Sequence, residues 1–431
     1  MKLSIIVQTK YRWKLSVLTS RTYVSDPKKR LLVVKAAMSV NGGAARDLLR
    51  NIPEISKKFE VRFLSLNLLQ KQLNKLNSLN IEAIYPELQW EPSGGLWNEI
   101  TAGQERSALA AWKNIDDIQD IIDWAEIIHL TGGNGSMEFV KLVPKNKFLH
   151  LHFLESKPGI HEKINHLKPD GGGSWRPAIL HFLQTYQRKR IEKSFELFLE
   201  NENWIVSANS IFSASKLESI YKIKGEVLYP SVDLSEFPEK EMEGEQGAYE
   251  EINPYDKKTY VVTIGRISRF KGTYEVIDHI KESGLNLIII GGGSVEDENA
   301  VKTYGQKYNV SVKVISNLSS TEMCTVMRNA LAIVGLAHGE AFGLTPIESM
   351  ALGVPPIFVK EGGFCETILD GENGRLIDRE DYDMWTEALE QAKDPEIRNK
   401  WAAAGIHRIN QMGLTPEEHS MRLYERIMGF Y

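Results

Sequence analysis

Short apolar runs alternate with helical stretches in two successive series, and this alternation restricts the chain to α/β architectures. In the first series, "RLLVVKAAMSVNGGAARDLLRNI" passes from an apolar run, Leu31–Val34, through a Gly42–Gly43 turn into a helical pattern. Further strands read at "FEVRFLSL", "EIIHLTGG", "KFLHLHF", "NWIVSAN" and "GEVLYPSVD". The second series begins near Tyr260 with "YVVTIGRIS" and continues through "LNLIIIGGG", "VSVKVISN", "ALAIVGLAHGE", "PPIFVKEGG" and "GRLID". Between them, "FPEKEMEGEQGAYEEINPYDKK" is acidic and reads as an exposed insertion or linker. At 431 residues the chain is too long for one core. Two domains with parallel sheets are expected. Ligands in such sheets bind outside the carboxyl ends of the strands, so the cleft between the domains is the expected site.

Composition narrows the function classes. With 42% hydrophobic and 25% charged residues the chain is an ordinary globular one. A net charge of −5 argues against general nucleic-acid binding. The two cysteines, Cys324 and Cys365, have neither metal-site nor redox spacing, which suggests a reducing, cytoplasmic compartment. The early run "LSIIV" is too short for a signal-peptide core or a membrane span. Membrane contact is therefore expected to be peripheral at most, with the basic stretch "QRKRIEK" the place for it.

Chemistry concentrates in "GEAFGLTPIESMALGVPPIFVKEGGFCETI", Gly339–Ile368. The apolar run before it is a buried strand, so a helix starting here opens at a strand's carboxyl end. Its free N–H groups face the cleft and favour an anion. Thr345, Pro346 and Glu348 fit a helix N-cap, first helical position and capping-box acid, which is a complete structural role for Glu348. No cap requires Glu340. Two carboxylates beside an anion site suit a ligand with both phosphates and hydroxyls, as a nucleotide sugar has.

"GEAFGLTPIESMALGVPPIF" resembles the E-x7-E signature of retaining glycosyltransferases of the GT-B fold, family 4. The resemblance covers the chain from about Leu31 and is strongest after Tyr260. It implies two Rossmann-like domains whose parallel sheets face each other across a cleft. Residues 31–229 would form the acceptor-side domain and 230–412 the donor domain, with 413–431 a C-terminal helix packing back on the first. Residues 1–30 are an extension without a family counterpart. The family pattern implies that Glu340 faces the donor sugar and Glu348 the ribose hydroxyls. "GRISRFKG" resembles the family's diphosphate loop, implying that Arg266 and Lys271 neutralise the leaving group. Fixed cations can do this without a metal, so no metal cofactor is expected.

The same resemblance extends the expected donor site to Gly42, Gly43, Phe342, Gly343, Leu344, Thr345, Gly362, Gly363 and Phe364. A histidine ends the matching first-domain strand, where His152 fits best and His150 next; His129 lies on the neighbouring strand. Trp90, Trp97 and Trp175 sit in Gly- or Pro-rich loops. Trp97, Trp175 and His129 are candidates for acceptor contact, with core packing the alternative. Two positions depart from the family: "PSVD" stands for its Asn-Gly-Val-Asp, and Ala341 replaces a glycine. The implied partners are a nucleotide-sugar donor and a carbohydrate, lipid-linked or protein acceptor. Competing readings are a dinucleotide oxidoreductase using "IIIGGGSVED", a phosphorylase or epimerase on the same architecture, and an inactive sugar-binding subunit.

Overall fold

Seven parallel strands form the first sheet: β1 (Arg30–Val34), β2 (Glu60–Leu64), β3 (Glu82–Ile84), β4 (Ile127–Thr131), β5 (Phe148–Phe153), β6 (Asn203–Ala208) and β7 (Glu226–Val227), in the order β3-β2-β1-β4-β5-β6-β7. Six more form the second: β8 (Tyr260–Ile264), β9 (Asn286–Ile290), β10 (Val312–Ile315), β11 (Ala332–Gly335), β12 (Pro356–Val359) and β13 (Arg375–Ile377), ordered β10-β9-β8-β11-β12-β13. The computed structural model describes residues 27–38, 42–92, 103–155, 177–238 and 252–430, with backbone alone over 177–186.

Both sheets reverse strand order once, at β1/β4 and at β8/β11. A crevice opens at such a reversal, outside the carboxyl ends of the strands. β4 and β5 are buried along their whole length, as strands covered on both faces must be. Four helices position the site: α1 (Gly43–Lys58) after β1, α2 (Ile211–Tyr221) after β6, α3 (Leu344–Ala351) after β11, and the last, α4 (Pro416–Met428). Among the described residues, no helix is long and apolar enough to cross a membrane.

The run "GEVLYPSVD" is strand only at Glu226–Val227. Beyond it the chain turns into the crossing between the domains, where α1 takes over its polar backbone. Asp47 accepts from Ser231 N at 2.7 Å, and Arg50 donates to Ser231 O at 2.6 Å. Arg50 also grips Glu236 with two parallel bonds of 3.0 and 2.7 Å. A buried, bidentate guanidinium is the geometry in which an ion pair holds position as well as charge.

The final helix belongs to the first domain's core. Leu423 and Ile427 of α4 are fully buried among Leu31, Val33, Ile52 and Phe59. Arg426 donates to Glu226, Ser207 Oγ and Val227 O at 2.9, 2.6 and 3.1 Å. The chain thus crosses twice between the domains, once near residue 231 and once near residue 414, where Val232 N donates to Leu414 O.

Candidate functional site

Three loops of the second domain meet at the crevice. The loop after β8 turns at Gly265 and ends at Gly272, whose φ of 68° and tight seat against Leu336 admit only glycine: a Cβ there would lie 2.2 Å from the Leu336 carbonyl oxygen. This seat and a bond from His338 N to Phe270 O fix the loop against the one after β11. Lys271 Nζ consequently meets Glu340 Oε2 at 2.8 Å, with both side chains partly exposed. Arg266 is exposed on the same loop.

The Gly362–Gly363 turn after β12 lies directly on residues 340–342. A Cβ on Gly362 would be 2.5 Å from the Glu340 carbonyl oxygen, and one on Gly363 2.4 Å from Phe342 Cα. Gly363 N donates to Glu340 O at 2.8 Å. The rings of Phe342 and Phe364 are buried, Phe364 against Phe358. Their side chains are therefore core, which leaves backbone as what these two positions can offer a ligand.

The capping expected of Thr345 and Glu348 is not formed. α3 starts earlier: Leu344 and Thr345 are already helical, and Gly343, at φ 86°, is the N-cap without any side-chain cap bond. Glu348 instead lies buried, 3% exposed, and accepts from Arg46 Nη2 of the first domain at 2.8 Å. Leu344 packs on Gly43, its Cδ1 3.1 Å from where a Cβ would stand. So Gly42–Gly43, Leu344 and Glu348 are brought together across the crevice.

More first-domain groups reach the same place, and sequence reasoning passed over all of them. Glu366 of the second domain accepts from Ile211 N and Phe212 N at 2.9 and 2.8 Å, at the start of α2. Ser210 Oγ donates to Ala341 O. Lys35, just beyond β1, is buried and donates to Gly132 O at 3.2 Å. Burial lowers its pKa to about 8, against the opposing fields of Glu155 and Asp47. Glu155, just beyond β5, is reached by solvent, yet the protein around it raises its carboxyl pKa; Glu340 adds to this, and Lys271, Lys35 and Arg266 oppose it. The charges of Lys271 and Glu340 therefore act on Glu155. An acid or lysine just past a strand end is the signal that could have found these two.

His152 sits elsewhere. It is buried with His129, His150 and His419, between the first sheet and α4. His129 Nδ1 and His150 Nδ1 are 2.7 Å apart, and His150 Nε2 meets Ser207 Oγ at 2.8 Å. His152 Nε2 donates to Leu228 O at 3.2 Å, and His419 Nδ1 to Tyr229 O at 2.7 Å. Burial drives the pKa of all four down, that of His129 to about 3. The structure therefore groups His152 and His129 with α4, not with Glu340. Trp90 is buried with its Nε1 on Ser107 Oγ, so it is core. Trp97 and Trp175 lie outside the described residues.

The oxidoreductase alternative loses its anion site. The helix after "IIIGGG" is closed by a Ser294–Asp297 capping box, and its first turn carries Glu296, Asp297 and Glu298. That end repels a pyrophosphate. Among the described residues, no group of three or more His, Cys, Asp or Glu side chains could hold a metal ion.

Residues 248–408, which contain Arg266, Lys271, Glu340 and Glu348, match the family described as Glycosyl transferases group 1. A D-inositol 3-phosphate glycosyltransferase of Corynebacterium diphtheriae is 27% identical over 170 residues, covering 36% of this chain and 37% of that protein. The capsular polysaccharide biosynthesis glycosyltransferase CapM of Staphylococcus aureus is 30% identical over 153 residues, 34% of this chain and 40% of its own. The chain spans less than half the length of the curated relatives it matches. Whole-chain likeness comes from structure: Anabaena Alr3699/HepE in complex with UDP superimposes with a TM-score of 0.65 at 14% identity, over 93% of this chain and 100% of that one. WaaG, a glycosyltransferase involved in lipopolysaccharide biosynthesis, gives 0.62 at 15%, over 93% and 100%. The fold is GT-B, two α/β domains with parallel sheets.

Proposed function

We propose that this chain transfers a hexose from a UDP- or GDP-sugar to an acceptor hydroxyl, with retention of the anomeric configuration. The observation that carries this reading is Lys271 paired with Glu340 and, on the helix that follows, the buried Glu348 bridged to the first domain, all three within the segment that matches the group 1 family. Departure of a nucleoside diphosphate leaves negative charge on a phosphate oxygen. Lys271, held on Glu340 in the loop that Gly272 seats, and Arg266 on the same loop stabilise that charge. Glu340 orients Lys271 and presents its carboxylate to sugar hydroxyls, and Glu348 receives the ribose diol.

In the reaction the bond from the anomeric carbon to the phosphate oxygen breaks, and the acceptor oxygen bonds to the same carbon. The acceptor proton passes to the departing phosphate on the face where it leaves. This needs positioning and charge more than a carboxylate nucleophile. No divalent metal is required, because Arg266, Lys271 and the open end of α3 balance the diphosphate. A UDP-sugar as donor also draws support from HepE, a protein of like fold with UDP bound.

Thermal shift with UDP, UDP-glucose, GDP-mannose and NAD, each added alone, tests the ligand class. Stabilisation by a nucleotide sugar or its diphosphate, persisting in EDTA, is expected; stabilisation by NAD only would overturn the reading. NMR of fresh product from an α-linked donor is expected to give an α-linkage, and a β-linkage would reject retention.

A further inference from the structure

We infer that Arg46 is a mobile third cation for the leaving diphosphate, parked on Glu348 until the ribose takes that carboxylate. The inference rests on the preceding reading of Glu348 as the ribose ligand, and it adds a first-domain residue that closes the donor site.

The pairing is half-made. Arg46 gives one N–H to Glu348 Oε1 at 2.8 Å, while its Nε is buried without a hydrogen-bond partner among the described residues. A guanidinium carries five donors in a planar fork that matches phosphate as well as carboxylate. A buried N–H without an acceptor is costly, so this arrangement leaves room for a better one. Glu348 is enclosed and cannot turn away to water. A ribose diol that approaches it must share or displace the Arg46 contact.

The displaced guanidinium has a place to go. α1 and α3 begin against one another, at Gly43 and Leu344. Neither start has a side-chain cap bond or an acid in its first turn. Two uncompensated positive helix ends converge there, next to Arg46 in the first turn of α1. A diphosphate lying between them would accept N–H groups from both helices and from Arg46. Because α1 belongs to the first domain and α3 to the second, the third charge is present only when the domains are together. Water is excluded at the same moment, when the cations act most strongly.

Calorimetry on the full chain distinguishes this from a purely structural bridge. The probes are UDP, GDP and ADP, each paired with its nucleoside, against wild type, Arg46→Gln and Arg46→Lys. In Arg46→Gln the diphosphate should bind about tenfold more weakly, since a charge-assisted bond is lost. The nucleoside should bind as well as before or more tightly, since Glu348 is free. Arg46→Lys, which keeps the charge without the fork, should fall between. Equal change for nucleoside and diphosphate in both variants would overturn the inference and reduce Arg46 to a domain bridge. Lys271→Ala in the same experiment separates the two levels. If it weakens diphosphate binding while the Arg46 variants discriminate nothing, the donor site stands and this inference falls. If wild type binds none of the diphosphates, the donor reading itself falls, and this inference with it.

Discussion

Mild acid should unfold the first domain before the second, and the buried histidines set the size of the effect. An unfolded chain takes up a proton at each histidine near pH 6.5. In the fold, burial holds His129 neutral down to a pKa of about 3 and holds His150 and His152 well below the ordinary value. Between those limits the unfolded state binds more protons, so stability is complete above about pH 6.5 and falls as pH drops toward the folded pKa. At about pH 5 His129 held neutral forfeits about 2 kcal/mol, and His150 and His152 add to the loss in the same direction. The His129 share alone is a sizeable part of the stability of a domain, about 5–15 kcal/mol. His419 shifts in the same direction. Arg426 and Arg422 face the cluster from α4 and oppose its protonation, whereas Asp47 partly favours it at His419. The second domain has His279, stacked on Trp385 and lowered to about 4, and so loses less.

Guanidinium unfolding at pH 7.5 and at pH 5, followed by tryptophan fluorescence and by NMR of the histidine rings, measures this. The first-domain transition should move to lower denaturant by about 2 kcal/mol or more while the second moves less, and the three strand histidines should not titrate in the native state. A first-domain transition independent of pH over that range, or native ring signals titrating near pH 6.5, would refute the reasoning.

Two further outcomes follow from the crevice. Lys271→Ala should cost turnover roughly 2–5 kcal/mol, the loss of a charge-assisted contact to the leaving phosphate, yet shift stability by about 1 kcal/mol or less because its pair with Glu340 is partly exposed; turnover near that of wild type would remove Lys271 from the chemistry. Glu366→Ala should lower the protection of amides at the start of α2 in hydrogen exchange, since two N–H groups lose a carboxylate at a helix end worth about 1 kcal/mol; unchanged exchange at Ile211 and Phe212 would deny the link.

The sheets, the strand-end loops and the double glycine were legible because each is a local pattern. The start of α3 was not, and the chain contains its own control. Gly343–Glu348 reads G-L-T-P-I-E, and Gly413–Glu418 reads G-L-T-P-E-E. At the second, Thr415 caps α4 by accepting from Glu418 N at 3.2 Å, with Pro416 in the first turn, as local chemistry dictates. At the first, the same residues fold differently. Gly343 is pressed against Phe364, whose ring would lie 2.6 Å from a Cβ, Leu344 packs on Gly43, and Glu348 is drawn to Arg46. Contacts of long sequence separation override a preference worth about 1 kcal/mol.

The histidines teach a related lesson. Alternation along β5 correctly puts Phe148, His150 and His152 on one face, but alternation does not say what covers that face. Here it is α4, arriving from the far end of the chain with His419 and Arg426. The first-domain acid whose carboxyl feels Lys271 and Glu340 is Glu155, two residues beyond the strand, where the chain has left the sheet. A second-domain half built from consecutive strand–loop–helix units can be read from spacing alone. The other half is assembled from single residues at the ends of β1 and β5 and the starts of α1 and α2. Their roles depend on which surface of the second domain closes on them, and only the folded arrangement supplies that.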